Sequence, residues 1–425
     1  MWSFITLILT LNTLLAILLI ETWYEKKKCF AIKTGENFVK DGSFYVSTAD
    51  SMVRQQFTVI KKANSLRVFI LGGSAAMGTP YVHQGLNRVC SFFSRLLTVN
   101  KGGIATWIKE YLENIYPDKK IEVINAAKGG HALASSIKTL KEIVSIGKPD
   151  LIIILSGNNE RAQDDSCLEK ITTITRKFKK GLAQIITIAQ TEKIKIYLLT
   201  VPSNIRDWLP TAEADLKLEE ALSLIKKEEY SQALSLLKET ELKKNALNLY
   251  YIAKCYDGLK NYEKARTYYL LARDLDESFI RCRAPLNKAI KEVKENYVKV
   301  IDLEEILFTY AKDGLPGNDL FHDYCHFKLQ TNKIIAYEII RYYLKENQAA
   351  NQTLAALKDI KLTPIISKQL KILYFLKMLK WLRYKYYSPS KTIRELNANE
   401  VIRNYKTELN IAGQQIDFLK KVNEN

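Results

Sequence analysis

Asp323 and His326 stand three residues apart in LFHDYCHF, and a serine about 250 residues upstream, Ser74 in VFILGGSAAMG, can complete a nucleophile set with them. A serine hydroxyl attacks an acyl ester well only when a base takes its proton. His326 would accept that proton and return it to the leaving alkoxide, while Asp323 would hold the imidazole in the useful tautomer and stabilise its charged form. The short spacing lets both side chains reach one pocket. Ser74 also has a plainer reading, since a serine after two glycines can simply cap a helix. Its distant Asp-x-x-His partners are what argue for chemistry.

The elements that must carry these residues are strands ending in tight turns. Leu66 to Leu71 is a run of residues that are apolar apart from Arg67, many of them branched, and it ends at Gly72-Gly73-Ser74-Ala75-Ala76, where glycines allow a sharp turn and small residues open a helix. Ile121 to Ile124 runs in the same way into Asn125-Ala126-Ala127-Lys128-Gly129-Gly130, and Leu151 to Leu155 into Ser156-Gly157-Asn158-Asn159-Glu160. In an open parallel sheet, ligands bind at the edge these turns share. Attack on an ester creates an oxyanion, and a close backbone N–H at a glycine together with an asparagine amide would meet it.

The blocks resemble the SGNH, or GDSL-type, hydrolases, named for Ser, Gly, Asn and His. The first block is similar to GGSAAMG, which implies Ser74 as nucleophile. The family's oxyanion glycine lies five residues after an asparagine, which from Asn125 implies Gly130. Asn158 takes the Asn place of the third block, and Asp323 with His326 matches the Asp-x-x-His of the last. Gly73 stands where many members have Asp, and Asn159 stands where the third block has Asp. The resemblance covers most of residues 65–345. It looks closest to a membrane-anchored subgroup with tetratricopeptide helices between the third and last blocks, because VPSNIRDWLP, LARDLDESFIRCRAPLN and DGLPGNDLFHDYCH follow in order. It implies no metal and no cofactor.

The other histidines offer less. His322 neighbours Asp323 but is expected to point elsewhere, His131 follows Gly130 at a helix start, and His83 has no evident partner. A zinc site would want a tighter cluster of His, Cys and carboxylate. Cys325 reads as a packing residue, and the six cysteines show no paired framework. The net charge of +18 is spread along the chain without a nucleic-acid motif, so no nucleic-acid partner is expected. Residues 361–394 lack acidic side chains and contain a helix-like stretch, KQLKILYFLKMLKWLRYKYY, whose lysines do not share a face. It reads as a docked helical tail, with an anionic lipid surface as the alternative.

From Trp2 to Ile20 there is no charged residue, a length able to span a bilayer, and Glu21-Thr22-Trp23-Tyr24 offers no small-residue cleavage site. This predicts a single membrane anchor. Lys26, Lys27 and Lys28 would place the rest of the chain in the cytoplasm, whereas the resemblance implies the opposite side. Between the third and last blocks, Glu229-Tyr230-Ser231-Gln232-Ala233 recurs as Asn261-Tyr262-Glu263-Lys264-Ala265, 32 positions on. That is close to the tetratricopeptide period of about 34. The segment reads equally as a plain helical hairpin. Tyr230, Ala233, Tyr262 and Ala265 are its expected packing positions. Arg281 and Arg283, just after it, are either contacts to an anionic substrate or ordinary surface charges.

Together these elements predict an α/β fold: a flavodoxin-like three-layer sandwich on a five-stranded parallel sheet, with strands near 66–71, 121–125, 150–155, 194–200 and 297–302. To it are added a tetratricopeptide-like helical insertion and a helical C-terminal tail. The expected organisation is an anchor at 1–24, a linker at 25–64, a hydrolase domain at 65–210 and 281–347, the insertion at 211–280 and the tail at 348–425. The expected function is a membrane-anchored, extracytoplasmic ester hydrolase acting on an O-acylated glycan or lipid. An acyltransferase with a sugar acceptor, and an adaptor whose insertion holds a protein partner beside a remnant hydrolase domain, are the alternatives.

Overall fold

The computed structural model describes residues 36–48, 51–53, 55–82, 102–160, 167–211, 216–239, 245–278, 280–347, 374–375, 377–378 and 392–423. Five parallel strands form the central sheet: β4 (Ser65–Gly72), β5 (Lys120–Asn125), β6 (Leu151–Leu155), β7 (Lys195–Leu199) and β8 (Val298–Ile301). Their spatial order is β5-β4-β6-β7-β8, the flavodoxin-like order in which the first strand lies inside the sheet. β4 pairs with β5 on one side, with Ile70 opposite Asn125, and with β6 on the other, with Gly72 opposite Leu155. β4, β6 and β7 are buried along nearly their whole length. That is why their sequences read as largely apolar runs, interrupted in β4 by Arg67, rather than as alternating ones.

The crossover helices form two layers over the sheet. On one face α2 (Ile104–Ile115) packs against α11 (Leu329–Glu346). On the other lie α3 (Leu133–Gly147), α4 (Cys167–Glu192) and α9 (Ala284–Lys291). A single-turn helix, α1 (Ser74–Met77), follows β4 directly, and α10 (Leu303–Tyr310) follows β8.

Residues expected to be linker form structure instead. β1 (Phe38–Asp41), β2 (Phe44–Ser47) and β3 (Gln56–Thr58) make an antiparallel sheet. The first two are joined by Gly42-Ser43, with Gly42 at φ +58°, a hairpin signal present in the sequence. Arg67 of β4 binds this small sheet to the large one. Its buried guanidinium reaches Glu122, Gly147 O, Thr58 O and Thr58 Oγ1 at 2.7–2.9 Å and lies over the Phe57 ring. Breaking such a buried pair from one side costs about 3–5 kcal/mol.

Between β7 and β8 stand α5 (Leu216–Lys226), α6 (Tyr230–Lys238), α7 (Ala246–Gly258) and α8 (Tyr262–Asp274), each packed against the next. Ala233 and Ala265 are fully buried at their crossings, Tyr230 and Tyr262 are half-buried, and the Tyr230 ring lies against Gly258. Their core also takes in Ile205, Phe308 and Leu315 from outside the segment, so these helices are built onto the sheet domain. Arg206 strengthens the junction with two bonds to Asp257 of α7, at 2.8 and 2.9 Å. The C-terminal helix α12 (Thr392–Asn423) docks on this body through side-chain bonds. Asn397 exchanges two 3.0 Å bonds with the Leu209 backbone, and Glu408 pairs with Lys328 at 3.0 Å.

The expectation of a single-pass membrane protein is corrected. Among the described residues, no helix is long and apolar enough to cross a membrane. The long helices are interrupted by charge: α4 carries Arg176, Lys177, Lys179 and Lys180, and α11 carries Lys333, Glu338, Arg341 and Lys345. The expected anchor at 1–24 lies outside the described residues, as does most of the basic stretch at 361–394.

Candidate active site

At the end of β4 the chain passes so close to β6 that a Cβ on Gly72 would stand 1.9 Å from the Leu155 carbonyl oxygen. Only glycine fits, and its φ of +144° is one that side chains resist. The turn delivers Ser74 as the first residue of α1, half-buried at the carboxyl edge of the sheet. The loop after β5 is tied to both sides of this serine. Lys128 N–H donates to Gly72 O at 2.9 Å, and the buried Asn125 amide donates to Met77 O at 2.8 Å.

The Asp-x-x-His loop meets Ser74 from across the sheet edge. His326 Nε2 lies 2.8 Å from Ser74 Oγ, and His326 Nδ1 lies 2.7 Å from Asp323 Oδ2. With the Nδ1 proton directed at Asp323, Nε2 presents its lone pair to the serine hydroxyl. Asp323 Oδ1 accepts the backbone N–H groups of Cys325 at 3.0 Å and His326 at 2.9 Å. Burial alone would raise the Asp323 pKa. The His326 charge and hydrogen bond, with the two backbone donors, outweigh it and hold the carboxyl below its ordinary value. An ionised carboxylate is what the imidazole needs beside it.

Gly130 and Asn158 come from the neighbouring strand ends. Gly130 sits in an exposed turn at φ +76°. Asn158 is buried, and its Oδ1 accepts the Cys282 N–H at 2.9 Å, which sets the amide orientation and leaves its NH₂ as the donor. The two loops are stitched together on either side of Ala132: Asn159 Nδ2 donates to His131 O at 3.1 Å, and Leu133 N–H donates to Glu160 Oε1 at 2.7 Å. The departures at 73 and 159 belong together. A Cβ at Gly73 would stand 2.6 Å from Asn159 Nδ2, so the Asn159 amide occupies the space a side chain at 73 would need.

Other residues singled out by sequence fall elsewhere. His322 points away from Ser74 into a buried aromatic cluster, with Nε2 2.6 Å from Tyr81 OH and its ring stacked 4.8 Å from Tyr405 of α12. His131 is half-buried beside Lys128, and burial together with that charge lowers its pKa. His83 lies outside the described residues. Donor atoms of Asp323, Cys325 and His326 lie within 4.8 Å of one another. Burial pushes the Cys325 thiol well up, away from the thiolate a metal requires, and the facing atoms of Asp323 and His326 are bonded to each other. Arg281 and Arg283 are not surface charges: both are buried, and both hold Asp276.

Sequence reasoning missed Asn204, which lies beyond the end of β7. It is fully buried, its N–H donates to Tyr324 O at 3.1 Å, and its amide donates to Asp323 O at 3.2 Å. The available signal was its position, since VPSN follows a strand to the same sheet edge that carries Ser74, Gly130 and Asn158. The Cys282 N–H was missed because a backbone donor has no signature in sequence.

No family model matches the chain, and no curated protein matches it. Among solved structures, it is similar to an acetyl xylan esterase, AlAXEase, at 15% identity over 65% of this chain and 99% of that one, with a TM-score of 0.34. A lipase/acylhydrolase from Enterococcus faecalis is similar at 16% identity over 66% and 97%, with a TM-score of 0.30. Axe2, an acetylxylan esterase from Geobacillus stearothermophilus, is similar at 15% identity over 67% and 96%, with a TM-score of 0.30.

Proposed function

We propose that this protein is a serine ester hydrolase of SGNH type, with Ser74 as nucleophile, His326 as general base and acid, and Asp323 as the group that orients and stabilises the imidazole. The carrying observation is that His326 bridges the other two, at 2.8 Å to Ser74 Oγ and 2.7 Å to Asp323 Oδ2, across 252 residues of sequence. Ser74 Oγ attacks the ester carbonyl as its proton passes to His326 Nε2. The tetrahedral oxyanion is met by the Asn158 amide and the backbone N–H groups of Gly130 and Ser74. His326 then protonates the departing alkoxide, and water activated by the same imidazole clears the acyl-enzyme. The acyl group belongs to an O-acylated glycan or lipid, the substrate class implied by the sequence resemblance. Fluorophosphonate labelling of the purified chain, with the adduct located by peptide mass spectrometry, tests the assignment. A Ser74 adduct is the expected result, and an adduct at another residue, or none, would overturn it.

A further inference from the structure

We infer that the buried Arg281–Asp276 pair is a clasp that positions the oxyanion donor Asn158. The inference rests on the serine-hydrolase assignment above. Arg281 and Asp276 side chains are 2% and 3% exposed and lie 2.7 Å apart. A buried ion pair of this kind is often no more stable than a well-packed apolar pair, so its value lies in fixed geometry. Here the geometry is over-determined. The second Asp276 oxygen accepts the N–H groups of Thr211 and Ser278, each at 3.0 Å. The other arm of the guanidinium donates to Asn204 O at 2.9 Å and Trp208 O at 3.4 Å. Arg283, from the other side of Cys282, donates to the Asp276 carbonyl oxygen.

Cys282 is therefore held between two anchored arginines, and its N–H is the group that holds Asn158 Oδ1 at 2.9 Å. The arrangement leaves little slack, since a Cβ on Gly157, next to Asn158, would come within 2.8 Å of Cys282 Sγ. An amide fixed at its oxygen keeps its NH₂ in place before the oxyanion forms, which is the condition for such a donor to lower the barrier. Arg281 touches no reacting atom. It acts through Cys282 on Asn158, and it also explains why the chain places RCR directly after the helical insertion.

A double-mutant cycle on the full chain with p-nitrophenyl acetate tests this. Removing an oxyanion donor costs about 10²–10³ in kcat, so loosening one through Arg281→Lys is expected to lower kcat about 10-fold with KM within about 2-fold. On the Asn158→Ala background the same change is expected to cost less than about 2-fold, because the donor it positions is gone. Should Arg281→Lys fail to melt cooperatively, Asp276→Asn enters the cycle in its place. Losses that multiply in folded double variants would overturn the clasp while leaving the hydrolase assignment standing. Absence of both p-nitrophenyl acetate hydrolysis and Ser74 labelling in the wild type would end the assignment and the clasp with it.

Discussion

The two halves of the candidate site are built differently. Ser74, Gly130 and Asn158 follow the ends of three adjacent parallel strands, and main-chain ladders from Ile70 opposite Asn125 to Gly72 opposite Leu155 set their spacing. Asp323 and His326 sit in an irregular loop held by distant groups: Asn204 beyond β7, Asn404 of α12 donating to His322 O at 3.2 Å, and Tyr81 with Tyr405 around the His322 ring. Ser74 is placed by local strand-and-turn geometry, whereas His326 is placed by tertiary contacts. Loss of the Ser74 hydroxyl should cost rate alone. Damage around the second half should cost rate and stability together.

The largest expected effect is that of Ser74→Ala, a loss of about 10⁶-fold in kcat, with a melting temperature equal to the wild type's because no packing group is removed. A variant that lost both would show the serine to be structural. Next comes Asp323→Asn, at about 10⁴-fold in kcat, since the amide can no longer hold the tautomer that leaves Nε2 unprotonated. Here the melting temperature should fall too, because two backbone donors and the imidazole lose their charged acceptor. A rate loss with unchanged stability would erase the contrast between the halves. Asn158→Ala should cost about 10²–10³-fold in kcat with KM little changed, measured on the same ester.

The smallest effect is a pH dependence of stability on the base side. Burial, aided by Lys328 and His326 and opposed by Asp323, lowers the His322 pKa to about 3. The unfolded chain, with an ordinary histidine near 6.5, binds the proton first. His322 therefore favours the fold fully above about pH 6.5, and that contribution is lost as pH falls toward 3. Between pH 7 and pH 5 the loss is about 2 kcal/mol. Urea melts of wild type and His322→Asn at both pH values should show the difference between them shrinking by that amount on acidification. A constant difference would mean that His322 is not buried neutral in solution.

The parts legible in sequence were those whose cause is local. The strand at 65–72 was readable because both faces of a central parallel strand are covered, so residues on both faces are apolar from Val68 to Leu71. The turn at Gly72-Gly73-Ser74 was readable because only glycine can approach Leu155 O so closely. The parts misread or unseen depend on partners far along the chain. Arg281 looked like a surface charge until Asp276, Asn204 and Trp208 closed around it. The hairpin at Gly42-Ser43 carried its own turn signal. Its docking needed Arg67, a lone basic residue inside a strand, to be recognised as the anchor of Thr58.

By itself, then, the sequence determined the order of strands and turns, and with it which residue types arrive at the sheet edge, because apolar runs and glycine turns follow from short-range sterics and burial. Only the tertiary structure decided that His326 lies within a hydrogen bond of Ser74, that Asn159 fills the space above Gly73, and that Asn158 is held by the Cys282 N–H. Those contacts arise from the need of buried polar groups to find partners, and the chain can satisfy that need only once its distant segments have packed together.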